Sequence, residues 1–380
     1  MMLIDPAGKI IGTLSGEGRY DILDTFIGTT VKIYDEQKLI DRAKVVGKPE
    51  IIDNSVLKFP AKVASQPETH RLFIADTNHN RILVSGPDGA VTDVIGSGAV
   101  ALTDGDFKTA AFHMPHGMAA NGDTLYIADC ENHAICKADL KAKTVETIAG
   151  TGQQVRVAHG GPGKTTPLNS PWDLALSPDG NTLYIAMAGD HRIWVMDLKT
   201  ARVDVLAGNG AEDIVDGPFA TSSYAQPSGL ALHGSTLYVA DSEASGIRAL
   251  DLEKKVARTI IGFPNLAQGR LFTFGDVDGA MGTAKLQHAL GVVYVENKLY
   301  IADTYNHKIK VIDPAAKNAK TYLGDGKSGA AEGKSPRFYE PGGLTYLDGK
   351  LYIADTNNNR ICVADLKTNE VSVLNLKLPK

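Results

Sequence analysis

Short runs of apolar residues punctuate this chain, each closed by an aspartate in all but one case and followed by turn-forming residues. They are LFIAD ending at Asp76, LYIAD at Asp129, LYIAM at Met187, LYVAD at Asp241, LYIAD at Asp303 and LYIAD at Asp355. Six residues after each closing position stands an isoleucine: Ile82, Ile135, Ile193, Ile247, Ile309 and Ile361. Four residues further comes an acid in five copies, Asp139, Asp197, Asp251, Asp313 and Asp365, with Gly86 in the first. A spacing held without slip predicts one supersecondary unit repeated six times. In the third copy, β-branched and aromatic residues between turn signals predict strands at 174–176, 182–186, 192–196 and 202–206. The acid after each third strand suits a hairpin, because its carboxylate can accept from backbone N–H groups just ahead.

A four-stranded unit cannot bury both faces alone. The copies lie 52 to 62 residues apart, and closing them into a ring leaves only short, protected edges. The expected fold class is therefore all-β, a six-bladed β-propeller of four-stranded blades over 59–380. First and last copies both hold all four strands, so the repeat leaves the latch of the ring open, with Lys32–Leu57 as the extra material beside it. Ahead of the ring, Leu3–Asp5 and Ile10–Leu14 flank the turn Pro6-Ala7-Gly8-Lys9, and Ile22, Leu23, Phe26 and Ile27 have helical spacing within Arg19–Ile27. This gives a short α/β segment over 1–45 and a linker over 46–58.

Bulk properties narrow the function classes. A length of 380 residues suits a ring grown by repetition as well as it suits two domains. A net charge of −5 lacks the electrostatic footprint of a non-specific nucleic-acid binder. No apolar run is long enough for a membrane helix, and the first twenty residues lack a signal peptide's basic start and apolar core. Three cysteines make no disulfide framework, so the expected compartment is the cytoplasm.

The LYIADTxNHxI string, the Asp-Gly stretch ahead of each copy and the PxGL that opens it resemble NHL repeats over roughly 59–376. SPWDLALS, LYIAMAGDHRIW, AQPSGLAL, FGDVDG and YNHKIKVIDP are similar to stretches of the NHL repeat-containing protein 2 family. That resemblance implies a thioredoxin-like domain joined in cis to a six-bladed NHL propeller, with residues 1–45 its C-terminal part. A thioredoxin-type redox centre needs a Cys-x-x-Cys pair to lower a thiol pKa. No cysteine precedes Cys130.

In a propeller, the residue after each blade-opening proline should ring one mouth of the central channel. That ring is Ala61, His116, Trp172, Ser228, Leu290 and Gly342. The next position is glycine in four blades, but Lys62 in the first and Asp173 in the third. Amidating lyases that cleave peptidyl-hydroxyglycine have a similar propeller with zinc on histidines at such positions, and Met114-Pro115-His116-Gly117 resembles their motif. Zinc catalysis needs about three protein ligands, and this ring offers one. Six-bladed lactonases hold a divalent ion with Glu, Asn and Asp, a set also missing here.

His133, His191 and His307 share a position with Asn80, Ser245 and Asn359, which points to a turn hydrogen bond. Asp104-Gly105, Asp216-Gly217 and Asp278-Gly279 read as turn chemistry. With Asp129 expected opposite Ile135, Cys130 and Cys136 would lie too far apart for an unstrained disulfide. Lys62, His116, Trp172 and Asp173 break the repeat at the channel mouth, and with Ser228 they form the expected binding site, with an exposed Trp172 as its anchor. The alternative is that Trp172 plugs the channel and Lys62 pairs with Asp173. The expected function is a non-catalytic scaffold for a protein or small ligand, needing no cofactor. A metal-dependent propeller enzyme and an RNA-binding propeller are the alternatives.

Overall fold

The computed structural model describes residues 2–6, 8–13, 20–42, 55–155, 159–267 and 272–379. The chain divides into two compact units, 1–54 and 55–380. In the first, strands Met2–Ile4 and Ile10–Thr13 pair antiparallel around the expected turn, where Asp5 accepts from the Lys9 N–H. The helix runs over Tyr20–Glu36, well past the predicted Ile27. Gly28-Thr29-Thr30 has poor helix propensity. Apolar spacing nonetheless continues through Val31 and Tyr34, and the Tyr34 hydroxyl donates to Asp5 on the hairpin at 3.0 Å. Most of the predicted 46–58 linker lies outside the described residues. Its last residues, 55–58, belong to the second unit, which thus begins before the predicted Phe59.

That unit is a six-bladed β-propeller. Blade 1 comprises strands Val63–Gln66, Arg71–Asp76, Arg81–Ser85 and Val91–Ile95, and blade 6 comprises Pro341–Leu347, Lys350–Asp355, Arg360–Asp365 and Val371–Val373. Blades 2 to 5 have the same antiparallel meander, opening at Pro115, Pro171, Pro227 and Ala289. Each adds a two-residue strand outside its fourth, such as Gly105–Asp106 on Thr144–Val145. Six apolar clusters make up most of the core, each between neighbouring blades, because a blade's side chains project toward the blades beside it. In register, Asp129 faces Ala134, while Ile135 faces Ala128. The expected pairing was one residue out. Cys130, Cys136 and Cys362 are free, buried thiols.

The recurrent aspartates are fully buried for a shared reason. One oxygen accepts the backbone N–H of Lys58, His113, Ala225, Gln287 or Tyr339 in the segment entering the blade. The other ties down the following turn, through Asn132, Asn306 or Asn358 in three blades. Burial pushes the carboxyls of Asp129, Asp241 and Asp303 up to about 7. In blade 3 the equivalent N–H, of Asn169, meets the Met187 sulfur at 3.4 Å. The buried carboxylate there is Asp190, which accepts from the Trp194 indole. The acids after the third strands close their hairpins as expected; Asp197, for example, accepts from the N–H groups of Lys199 and Thr200.

The side chains of His133, His191 and His307 do not bond within their own turns, where only the backbone N–H groups do. Each occupies a left-handed backbone position, and its Nδ1 accepts the N–H of Ser170, Gln226 or Glu340, just before the next blade. Asn80, Ser245 and Asn359 do the same for Met114, His288 and Phe59. The position therefore fastens blade to blade, and Asn359 closes the ring across 300 residues. Any short acceptor serves, which is why His, Asn and Ser interchange. Asp104, Asp216 and Asp278 likewise do more than shape turns: each binds the N–H and hydroxyl of a threonine on the fourth strand, Thr147, Thr259 or Thr321.

Among the described residues, the C-terminal segment latches onto blade 1. Lys377 accepts from the Val91 N–H at 3.0 Å and donates to the Gly89 carbonyl at 2.8 Å, covering the outer edge of blade 1. It takes the place that the two-residue strands hold in blades 2 to 5. Leu57 adds a buried side chain between blades 6 and 1, and Arg81 of blade 1 donates to the Val56 carbonyl at 2.9 Å. Ending the chain after Leu376 should cost about 2 kcal/mol, the sum of the two Lys377 backbone hydrogen bonds at about 1 kcal/mol each. Urea unfolding would register this as a lower midpoint with an unchanged slope.

Candidate functional site at the channel mouth

The innermost strand of every blade is an edge strand, so its inward N–H and C=O groups face the channel without sheet partners. Crowding there explains the glycines: a Cβ on Gly117 would come within 2.4 Å of Asp173, and one on Gly291 within 2.9 Å of Gly343. These glycines leave room for the two long side chains that replace them in other blades. Lys62 extends from blade 1 across the channel, and its ammonium donates to the Ser228 carbonyl at 2.7 Å, to the Leu290 carbonyl and to Asp173 at 3.5 Å. Asp173 accepts from the Leu230 N–H at 3.0 Å and from its neighbour Leu174. Together they satisfy edge groups of blades 4 and 5. Burial pulls the Lys62 amine down and pushes the Asp173 carboxyl up, and their mutual attraction opposes both shifts.

The pair partitions the channel. Below it lies a cavity of about 310 Å³, lined by all six innermost strands, among them Ala64, Met118, Leu174, Leu230, Val292 and Leu344. Above it a pocket of about 170 Å³ opens at the mouth, bounded by His116, Trp172, Leu290, Tyr305, Glu340 and the Lys62 stem. Ala61 and Gly342 also border it, so five of the six expected ring positions surround this pocket.

His116 stacks on Trp172 with ring centroids 5.1 Å apart and an interplanar angle of 25°. Its Nδ1 lies 2.8 Å from the Met114 carbonyl, which fixes that nitrogen as the donor. Burial, aided by the nearby Lys62 charge, lowers its pKa to about 4, so the ring is neutral near pH 7. Trp172 is half-buried rather than exposed. Ser228 is fully buried, its hydroxyl donating to the Gln226 carbonyl at 2.7 Å. Of the five expected site residues, His116 and Trp172 form the pocket wall and Lys62 its floor. Asp173 lines the cavity below and pairs with Lys62, and Ser228 supports Lys62 through its carbonyl.

Tyr305 and Glu340 escaped the sequence reading. Tyr305 stands where other blades carry Asn78, Glu131, Gly189, Glu243 and Asn357, a departure from the repeat that would have flagged it. It packs on His288 at 4.6 Å, and His288 in turn reaches Glu243 at 3.1 Å. Glu340 precedes an opening proline, a position with no recurrent residue type, so no repeat-based signal marks it.

Among the described residues, no three His, Cys, Asp or Glu side chains come together as a metal-binding set. A zinc centre of the lyase kind does not fit His116 and its neighbours. No described helix is long and apolar enough to cross a membrane.

Neutral His116 has a consequence for pH dependence. Its folded pKa is below the unfolded value of 6.5, so its contribution is complete above pH 6.5 and is lost as pH falls toward 4. At about 1.4 kcal/mol per unit, the loss reaches at most about 3 kcal/mol. The His116→Gln variant should lose less stability than the parent between pH 7 and pH 5, as urea midpoints would show.

Six four-stranded blades, fastened by acceptors at one recurrent turn position, make a six-bladed β-propeller, and three stretches of it match the NHL repeat. The NHL repeat pattern matches residues 112–137, 168–196 and 338–364. Along its whole length the chain resembles NHL repeat-containing protein 2. It is 38% identical to the Gallus gallus protein, covering 100% of this chain and 56% of that one. The Homo sapiens protein is 39% identical, with 98% and 56% covered. The Arabidopsis thaliana protein SUPPRESSOR OF QUENCHING 1, chloroplastic, is 40% identical, with 99% and 37% covered. The chain thus spans about half or less of these relatives. Among solved structures, an auxiliary nutrient binding protein from Bacteroides thetaiotaomicron superposes with a TM-score of 0.58 at 15% identity, covering 84% of this chain and 70% of that one. A chain of a nidogen/laminin complex superposes at 0.52 with 17% identity, covering 80% and 92%. At such identities the likeness is one of fold alone.

Proposed function

We propose that this chain is a non-catalytic binding scaffold, with its channel-mouth face receiving a protein or small ligand beside a thioredoxin-like domain in cis. One observation carries this reading: the mouth pocket is walled by residues that depart from the repeat, while the recurrent residues are committed to fastening blades. His116, Trp172 and Tyr305 give it an aromatic lining above Lys62. The polar groups of Lys62, Asp173 and Ser228 are engaged with one another and with backbone, which suits a rigid platform better than a proton-transfer centre. Three free, buried thiols are compatible with the cytoplasm, although the Arabidopsis relative is named as chloroplastic.

The test is a comparison of proteins captured by the full chain and by its Trp172→Ala/Tyr305→Ala variant. Aromatic anchors at interface centres are worth about 2 kcal/mol or more, roughly 30-fold in affinity. The double variant should still fold cooperatively, with a thermal midpoint lowered by the lost stacking on His116 and His288, and lose a captured partner. Unchanged capture by a folded variant rejects the mouth face as the binding surface.

A further inference from the structure

We infer that the mouth pocket receives one cationic side chain, an arginine or lysine presented by a partner protein. This inference rests on reading the mouth as the binding surface and adds the chemistry of what enters it. Size is the first constraint. A space of about 170 Å³ holds one long side chain and falls below the roughly 300 Å³ at which sites for free small molecules begin.

The walls are the second constraint. Trp172 and Tyr305 offer aromatic faces, and Leu290 an aliphatic one, which together suit a methylene stem and a cation over a ring. Charge is the third. The Lys62 ammonium is spent on three acceptors, including Asp173, so the floor presents no unopposed charge. His116 is neutral near pH 7. The remaining ionisable side chain on the pocket is Glu340, one of whose carboxylate oxygens accepts from Asn357 at 2.8 Å.

The surroundings point the same way. The turns after the second strands, and the residues just before the opening positions, carry Glu131, Glu243 and Glu340 near the surface against Lys58 alone. Asp190 is buried against Trp194. The basic residues that begin third strands, Arg81, Arg192, Lys308 and Arg360, are each paired with an aspartate. Phe59, Tyr305 and Tyr339 are 36%, 48% and 41% exposed at these same positions, a footprint wider than one side chain and of the composition that interfaces favour. A protein segment that lowers its basic residue into the pocket would cover them.

Trp172 provides the readout. The chain has two tryptophans, and Trp194 is fully buried. Titrating the full chain with Gly-Arg-Gly, Gly-norleucine-Gly and Gly-Glu-Gly peptides, blocked at both ends, should perturb the Trp172 indole NMR signal. The arginine peptide should bind about tenfold more tightly than the norleucine peptide, and the glutamate peptide should bind least. Glu340→Gln should remove that tenfold preference while leaving the norleucine peptide unaffected, since glutamine can still accept from Asn357. Equal binding of arginine and norleucine, preference for glutamate, or an arginine preference that survives Glu340→Gln would each overturn the inference. So would silence from all three peptides while capture of a partner still depends on Trp172 and Tyr305; in that case the mouth remains the binding surface. Capture that is independent of those two residues rejects the mouth reading itself.

Discussion

Lys62→Met should destabilise the propeller by about 3–5 kcal/mol, because it strands Asp173 as an unpaired charge inside the channel. Lys62 is 6% exposed, and its ammonium spans from blade 1 to carbonyls of blades 4 and 5. Removing it costs more than one ion pair. The carbonyls of Ser228 and Leu290 lose a donor at an edge that no strand covers. Asp173, already pushed up by burial, loses the neighbour that opposed the shift, so its carboxyl should titrate higher still in the variant. The Lys62→Met/Asp173→Leu double variant should recover much of the loss, since replacing both partners leaves no orphaned charge. A double-mutant cycle by urea unfolding measures this coupling, and additivity would show that the two residues do not act as a pair.

Arg248→Met should produce a loss of the same size, about 3–5 kcal/mol, far from the mouth pocket. Its guanidinium is fully buried in blade 4 and donates to Asp241 at 3.1 Å, Asp216 at 3.0 Å, and the carbonyls of Ser223 and Val215. It also lies over the Tyr224 ring at 4.9 Å. Asp241 holds the entry segment of its blade through the Ala225 N–H, so the damage should reach the long loop ahead of blade 4. Thermal unfolding would report the stability loss, and hydrogen exchange should show faster exchange at Ala225. Adding Asp241→Asn to Arg248→Met should cost little beyond the single variant, because the unpaired charge disappears.

The contrast between these two arginine and lysine positions shows where repetition stops being informative. Seven residues after each closing position, the blades carry Leu83, Cys136, Trp194, Arg248, Lys310 and Cys362. All six point into the interior, yet each has a different set of partners. A pattern that repeats reveals the backbone's needs; a pattern that breaks reveals a local solution, whose partners come from distant segments. Thus Asp129, Asp241 and Asp303 were legible as structural, but Arg248 reaching Asp216 and Tyr224 was not.

The channel mouth follows the same division. Its ring positions could be counted from the blade-opening prolines, because a fixed strand length carries each following residue to the same height. Burial could not be counted. Ser228 is sealed and Trp172 half-covered because six innermost strands converge on one axis, and crowding there depends on neighbours some 50 or more residues away in the chain. The C-terminal latch escaped for a similar reason: Lys377 has no distinguishing side-chain chemistry in that role, and acts through its backbone alone.

By itself, then, the sequence determined the number of blades, the strands within them, the hairpins closed by Asp139 and its equivalents, and the positions that depart from the repeat. These depend on local spacing and turn chemistry, which act over a few residues. Only the tertiary structure decided that recurrent histidines fasten one blade to the next, that Lys62 and Asp173 divide the channel, and that Tyr305 and Glu340 complete the pocket. Those outcomes depend on which edges and side chains ring closure brings together, and closure is a property of all six blades at once.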